Sequence, residues 1–286
     1  MEWRMWWVHT PKTGSSFCLT LQHLWCPDTW PGNGNRSVPE TAIYDHKGCT
    51  HVKNFTCPEK TVGHDFVPVG WPRGDTARAV IVLRDQWTRI VSSFSDGKHH
   101  SGMPERYFNE VFRPSLQETA KAECHGDGTT ARFRRSNAYN DCVRLAEFEA
   151  YANAPEMKGC VAKTLTGRGC SAVNATLAPA DVTLAIERLG TFAYVGIFED
   201  WTEMVYSLHD TLGHGRGTVG PLDFVHMRST KNKLAVPAAL KAAYADPWDQ
   251  PIYDAALGLY CGTFRTGDAS AFPPCRRRSS LGTSEP

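Results

Sequence analysis

The sequence predicts an α/β fold, a mostly parallel sheet flanked by helices, and three observations carry that prediction. Short apolar runs at residues 5–9 (MWWVH), 79–83 (AVIVL) and 193–198 (AYVGIF) read as buried strands. Each is followed by apolar residues at helical spacing, and strands that alternate with helices pair in parallel beneath a helical cover. The chain is also large enough: at 286 residues, 41% hydrophobic, it buries about three quarters of its unfolded surface without help from a metal or a disulfide.

The elements follow in order. After the first strand, Thr10-Pro11-Lys12-Thr13-Gly14-Ser15-Ser16 leads into Phe17, Leu21 and Leu24, spaced as on a helix. Residues 27–42, rich in Pro, Gly and Asn, read as a loop. The strand Ala79–Leu83 runs into Arg84-Asp85, behind which Trp87, Ile90, Val91 and Phe94 mark one helix face. Residues 97–104 and 124–130 read as loops, and 137–151 as a helix carrying Leu145 and Phe148. A helix from Asp181 to Leu189 leads into the strand Ala193–Phe198, and Trp201, Val205, Leu208 and Leu212 line the next helix. Leu240, Tyr244, Trp248, Ile252, Ala256 and Leu259 step by about four and predict helix despite Pro247 and Pro251. Beyond Phe272 the chain reads as a basic tail. In such a sheet, binding residues belong beyond the carboxyl ends of the strands.

Composition excludes several functions. Lys and Arg total 31 against 30 Asp and Glu, a formal charge of +1, which argues against a dedicated nucleic-acid binder. A small anion held by a few placed cations stays open. The longest apolar run, Ala79–Leu83, falls far short of the roughly 20 residues that span a bilayer. Ten Cys, several in the close pairs Cys18/Cys26, Cys49/Cys57, Cys160/Cys170 and Cys261/Cys275, lack any C-x-x-C spacing. Together with sequons at Asn35, Asn54 and Asn174 they favour a secretory lumen. Against this, Met1 leads into Trp3 and Trp6 with no apolar signal region. The expectation is therefore a lumenal protein whose membrane anchor lies outside this sequence, or a cytoplasmic one if its N-terminus is complete.

Two segments carry chemistry. A loop of small residues that opens a helix aims backbone N–H groups and the positive helix end at one point, which suits a phosphate. Lys12 adds a cation, and Thr13, Ser15 and Ser16 add hydroxyls; the G-x-x-x-x-G-K-[ST] string of nucleotide hydrolases is missing. In the second segment, Arg84 leaves a strand and Ser92 lies about two turns along the helix that follows, so both can approach one anion. His46 and His51 lack companions at metal-ligand spacing, and no metal site is expected.

Together the two segments resemble the phosphate-binding motifs of sulfotransferases that use 3′-phosphoadenosine 5′-phosphosulfate (PAPS), of the types P-K-[TS]-G-[TS] and R-[DN]-P-x4-[IV]-S. Gln86 stands where that family has proline. Tyr194-Val-Gly-Ile-Phe-Glu199 resembles the family's V-G-[VI]-x-E strand, and Val225-His-Met-Arg-Ser-Thr230 the H-L-R-K-T segment of the hexuronic-acid 2-O-sulfotransferases, with Ser229 in place of lysine. Val62-Gly63-His64-Asp65-Phe66 resembles the segment bearing the catalytic histidine, Val62 standing where some members carry a second histidine. The likeness runs in order from residue 7 to 264.

This resemblance implies a P-loop NTPase-like sulfotransferase fold, with a sulfotransferase domain over 1–270 and a disordered basic tail over 271–286. It implies sulfuryl transfer from PAPS to a hydroxyl of a glycan in the Golgi, without a metal or a nucleic-acid partner. Lys12 and His64 would be catalytic, His64 as base with Glu199 as its competitor. Lys12, Thr13, Gly14, Ser15, Ser16 and Phe17 would bind the 5′-phosphosulfate, Arg84 and Ser92 the 3′-phosphate, and Arg228, Ser229 and Thr230 would close over the nucleotide. Lys98, Arg132, Arg134 and Arg135 are scattered cations in the acceptor loops. The family also carries a short Cys loop before the V-G-x-x-E strand; with the glycines between and beside them, Cys160 and Cys170 are the likeliest bridge. Two rivals remain: a P-loop-type small-molecule kinase, and a non-catalytic glycan-binding relative.

Overall fold

In a computed structural model, residues 6–8, 10, 79–96, 103–125, 137–172, 175–211, 215–219, 235–268 and 271–275 are described. Three short strands, β1 (Trp6–Val8), β2 (Ala79–Leu83) and β3 (Tyr194–Ile197), form a parallel sheet in the order β1-β2-β3. Val8 pairs with Ile81 and Leu83 with Ile197, so all three strands point their carboxyl ends at the same edge. All five residues of β2 are buried. Because successive side chains face opposite ways, a strand buried at every position is covered on both faces, which explains a continuous Val/Ile/Leu run without alternation.

Helices dominate the rest. After β2 come α1 (Gln86–Ser95), then α2 (Glu105–Tyr107), which passes through a π-helical turn at Phe108–Phe112 into α3 (Arg113–Cys124). α4 (Asn137–Asn153), α5 (Cys160–Leu165) and α6 (Pro179–Leu189) precede β3. A 3₁₀ turn, Phe198–Asp200, joins β3 to α7 (Trp201–Thr211); α8 (Ala238–Ala243) and α9 (Asp249–Leu259) follow, and α9 ends in a π-helical turn, Tyr260–Phe264.

Two large apolar cores form among the described residues, beside a small cluster of Ala120, Cys124 and Ala146 between α3 and α4. The first joins the sheet to Val161, Leu189, Met204, Leu208, Ile252 and Ala256 from α5, α6, α7 and α9. The second is helical and aromatic, with Ile90 and Phe94 of α1 packed among Phe108, Phe112, Phe148 and Tyr151. Phe94 meets Phe148 edge-on at 5.3 Å between ring centres, and Ser93 and Tyr151 share a buried 2.6 Å hydrogen bond. α1 thus runs from the sheet edge into the helical core, which fixes its direction.

Buried charge ties α1 to the far helices. Arg89 Nη2 donates to Asp249 Oδ2 at 3.2 Å, both side chains being almost wholly buried. The same carboxylate accepts from the backbone N–H groups of Val161 (3.1 Å) and Ala162 (2.9 Å), capping α5. Asp246 accepts from the N–H of Gly159 at 3.0 Å and that of Asp249 at 3.1 Å, tying α5 to the start of α9. Burial and the Asp246 charge push the Asp249 carboxyl up, opposed by Arg89 and the two amides. Gly159 has φ 65°, and a Cβ there would collide with Leu177. Gly196 of β3 has another constraint: a Cβ would stand 2.8 Å from both Met204 Cγ and the Tyr194 ring.

Three expectations are corrected. The helix expected across residues 240–259 breaks between Ala243 and Asp249, where Asp246 turns its carboxylate onto backbone amides and Pro247 lacks an N–H for a helical bond. Pro251 lies inside the first turn of α9, where a missing N–H costs nothing. Phe198 leaves the strand for a 3₁₀ turn. Residues 271–275, expected as the start of a tail, bury Phe272 and Cys275 in the sheet core.

Cys160–Cys170 is bridged, as is Cys261–Cys275 from the close pairs. A third disulfide, Cys124–Cys142, joins α3 to α4 and was not among those pairs. Three disulfides suggest an oxidising environment of the secretory type. Among the described residues, no helix is long and apolar enough to cross a membrane. Cys18, Cys26, Cys49, Cys57, Asn35, Asn54 and Asn174 lie outside the described residues.

Candidate functional site

The carboxyl edge of the sheet gathers Arg84 and Asp85 after β2 and Phe198 and Glu199 after β3. Thr10, fully buried, follows β1 at the same edge. Asp85, two residues past the end of β2, starts the helix: its backbone is not yet helical (φ −47°, ψ 131°) and its Oδ1 accepts from Thr88 N at 2.9 Å. This is an N-cap, and it satisfies one of the amides that a helix start leaves open.

Arg84 is held from three sides. Its Nε donates to Thr88 Oγ1 at 3.1 Å, and its guanidinium lies over the Phe198 ring, 4.6 Å from the centroid. A flat cation over a flat ring is attracted by the ring's negative face. Glu199 and Asp85 add a negative field. Burial pulls the Arg84 pKa down, while these two carboxylates hold it up against Arg89, which also lowers it. The result is a partly desolvated, oriented cation at the end of the central strand.

Glu199 organises the same corner. Its Oε1 accepts from Asp85 N at 3.1 Å and Thr88 Oγ1 at 3.0 Å, and its Oε2 accepts from the Tyr253 hydroxyl of α9 at 3.1 Å. A glutamate at the third helical position often accepts from the N-cap amide; here Glu199 does so from across the sheet. The residue is open to solvent, yet its two oxygens are turned onto protein donors. Their local desolvation pushes the carboxyl up, and the hydrogen bonds from Asp85, its own backbone, Thr88 and Tyr253 oppose that rise. The Thr88 hydroxyl has one hydrogen and two acceptors in reach, Glu199 Oε1 and Asp85 O at 3.0 Å. It can donate to either of them while accepting from Arg84.

Ser92 lies half-buried on α1, one turn beyond Thr88 on the same helix face. Arg84, Thr88 and Ser92 are thus spaced by four, along a line leading from the sheet edge up the helix. Lys12, Thr13, Gly14, Ser15, Ser16, Phe17, His64, Arg228, Ser229 and Thr230 lie outside the described residues. Of the expected site, the structure therefore describes Arg84 and Ser92. Sequence reasoning gave no role to Thr88, Phe198 or Tyr253. Phe198 reads in the sequence as the last residue of its strand, which gives it no role at a site. Among the described residues, no group of three or more His, Cys, Asp or Glu is placed to hold a metal ion.

Comparison with family models, curated proteins and solved structures finds no match to this chain. The family likeness therefore rests on the motifs of the sequence, and the fold on the geometry given above.

Proposed function

We propose that the chain is a PAPS-dependent sulfotransferase with a P-loop NTPase-like fold, acting on a hydroxyl of a glycan in the Golgi lumen. The observation that carries this reading is Arg84, an oriented and partly desolvated cation at the carboxyl end of the central parallel strand. That is where the resembling motif puts the ligand of the 3′-phosphate. An arginine fork matches two phosphate oxygens, and Ser92 would supply a further hydrogen bond from the helix face that Thr88 begins.

The remaining roles follow from the chemistry. As the S–O bond to the departing nucleotide breaks, charge grows on the 5′-phosphate oxygen, and Lys12 with the amides of residues 13–17 would stabilise it. His64 would take the proton of the attacking hydroxyl, since an imidazole titrates near neutral pH. Arg228, Ser229 and Thr230 would cover the nucleotide.

Release of 3′-phosphoadenosine 5′-phosphate (PAP) from PAPS in the presence of glycan acceptors tests the reading. His64→Ala should lower turnover roughly 10²–10⁴-fold with nucleotide affinity nearly intact, the usual worth of a positioned base. Lys12→Ala should lower kcat more than binding, because its partner charge grows in the transition state. Normal turnover in both variants would overturn these assignments.

A further inference from the structure

The corner that holds Arg84 contains a carboxylate that a bound anion would have to face. Arg84 and Glu199 both bond to the hydroxyl of Thr88, at 3.1 and 3.0 Å, so cation and carboxylate stand within two hydrogen bonds of each other. Glu199 cannot swing away without breaking three contacts, with Asp85 N, Thr88 and Tyr253. Among the described residues, the charged and titratable groups facing it are Arg84 and Asp85 from the β2–α1 junction and Tyr253 from α9, with Asp254 beside that tyrosine. Asp200, on its own turn, is occupied by Arg265 at 2.7 Å and Tyr260 at 2.9 Å. Of the described groups at this corner, Glu199 is the carboxylate that shares the Thr88 hydroxyl with Arg84.

We propose that Glu199 is a proton-linked positioning residue: it orients Arg84 through Thr88 while ionised, and takes up a proton from solvent when a phosphate binds at Arg84. This rests on the reading of Arg84 as a phosphate ligand. The physical reason is repulsion. A dianion brought onto the guanidinium approaches the carboxylate too, and like charges held this close repel. Protonation removes that repulsion. It also keeps the geometry, because Oε1 still accepts from Asp85 N and Thr88, while a hydroxyl at Oε2 can donate to the tyrosine oxygen, itself donor or acceptor. Desolvation already biases the carboxyl towards its neutral form.

The sign follows. Binding is strongest where Glu199 is already neutral, and weakens as pH rises through the interval between its pKa in the free protein and its higher pKa in the complex. Above that interval the dependence on this group vanishes. The nucleotide's own phosphate ionises near pH 6 and pushes the other way, so the effect is read as a difference from a variant. Glu199→Gln is that variant: its carbonyl keeps the bonds from Asp85 and Thr88, and its NH₂ donates to Tyr253.

Calorimetric titration with PAP from pH 5 to 8 tests this, on wild type, Glu199→Gln and Glu199→Asp. Wild type should lose affinity relative to Glu199→Gln by about tenfold from the acid to the alkaline limit, corresponding to about one pKa unit between free and bound states. Glu199→Asp, which keeps a charge, should follow wild type. Parallel pH profiles for wild type and Glu199→Gln would overturn the proton linkage while leaving the phosphate site standing. Should neither protein bind PAP at any pH, the nucleotide reading falls, and this inference with it.

Discussion

Arg84 owes its orientation to side chains from the helix that follows its own strand and from the end of β3, so its contribution to binding is separable from its mere presence. Thr88→Val keeps the volume and the backbone cap from Asp85, but removes the hydroxyl that accepts from Arg84 and donates to Glu199. A single such hydrogen bond is worth about 1 kcal/mol, so PAP affinity should fall roughly fivefold. Arg84→Ala removes the charge itself and should cost about 1.5–3 kcal/mol, roughly ten- to 150-fold. Isothermal titration of both variants checks the order; an unchanged affinity in Thr88→Val would mean that its hydroxyl does nothing for Arg84. At this scale the sequence was partly readable. Arg84 and Ser92 stand out because together they fit the second phosphate-binding motif that the sequence resembles. Thr88, Phe198 and Tyr253 do not, because they meet Arg84 and Glu199 only once a strand end, a helix and a distant helix are folded together.

At the scale of elements, α1 is oriented by the ion pair between Arg89 and Asp249 as much as by its apolar face. Asp249→Asn keeps the shape but leaves a buried guanidinium facing an amide, and breaking a buried pair in this way costs about 3–5 kcal/mol. Replacing both, Arg89→Met with Asp249→Asn, removes the uncompensated charge and should recover part of that loss. Urea unfolding measures both; a double variant less stable than Asp249→Asn would show that Arg89 contributes through contacts other than this pair. The strands were legible because continuous Val/Ile/Leu runs of this length suit a sheet buried on both faces. The break before α9 was not, because apolar residues stepping by four continue through Tyr244 and Trp248 and hide it. What breaks the helix there is the Asp246 carboxylate, bonded to amides of two segments 87 residues and three residues away.

Across the whole molecule, disulfides fasten helices and the end of the described chain to one another. Cys124–Cys142 fixes α3 against α4, Cys160–Cys170 closes the chain around α5, and Cys261–Cys275 draws the end of the described chain back to α9. Spacing found the two bridges that close short loops. It missed Cys124–Cys142 because that pair is set by how two helices pack, which cysteine spacing does not encode. The α/β class was readable for a similar reason in reverse, since strand and helix periodicities are local. The site is then a product of topology: parallel strands bring Arg84 and Glu199, 115 positions apart in the chain, to one edge. That convergence makes a phosphate on Arg84 the central claim, and it distinguishes a nucleotide with a 3′-phosphate from one without. The direct measurement is the thermal shift of the purified protein with PAP, ADP and ATP at equal concentration, since a ligand that binds the folded chain raises its midpoint by mass action. A shift with PAP well above those with ADP and ATP, lost in Arg84→Ala, is the predicted result; equal shifts for the three nucleotides, or a PAP shift unchanged in Arg84→Ala, would contradict it.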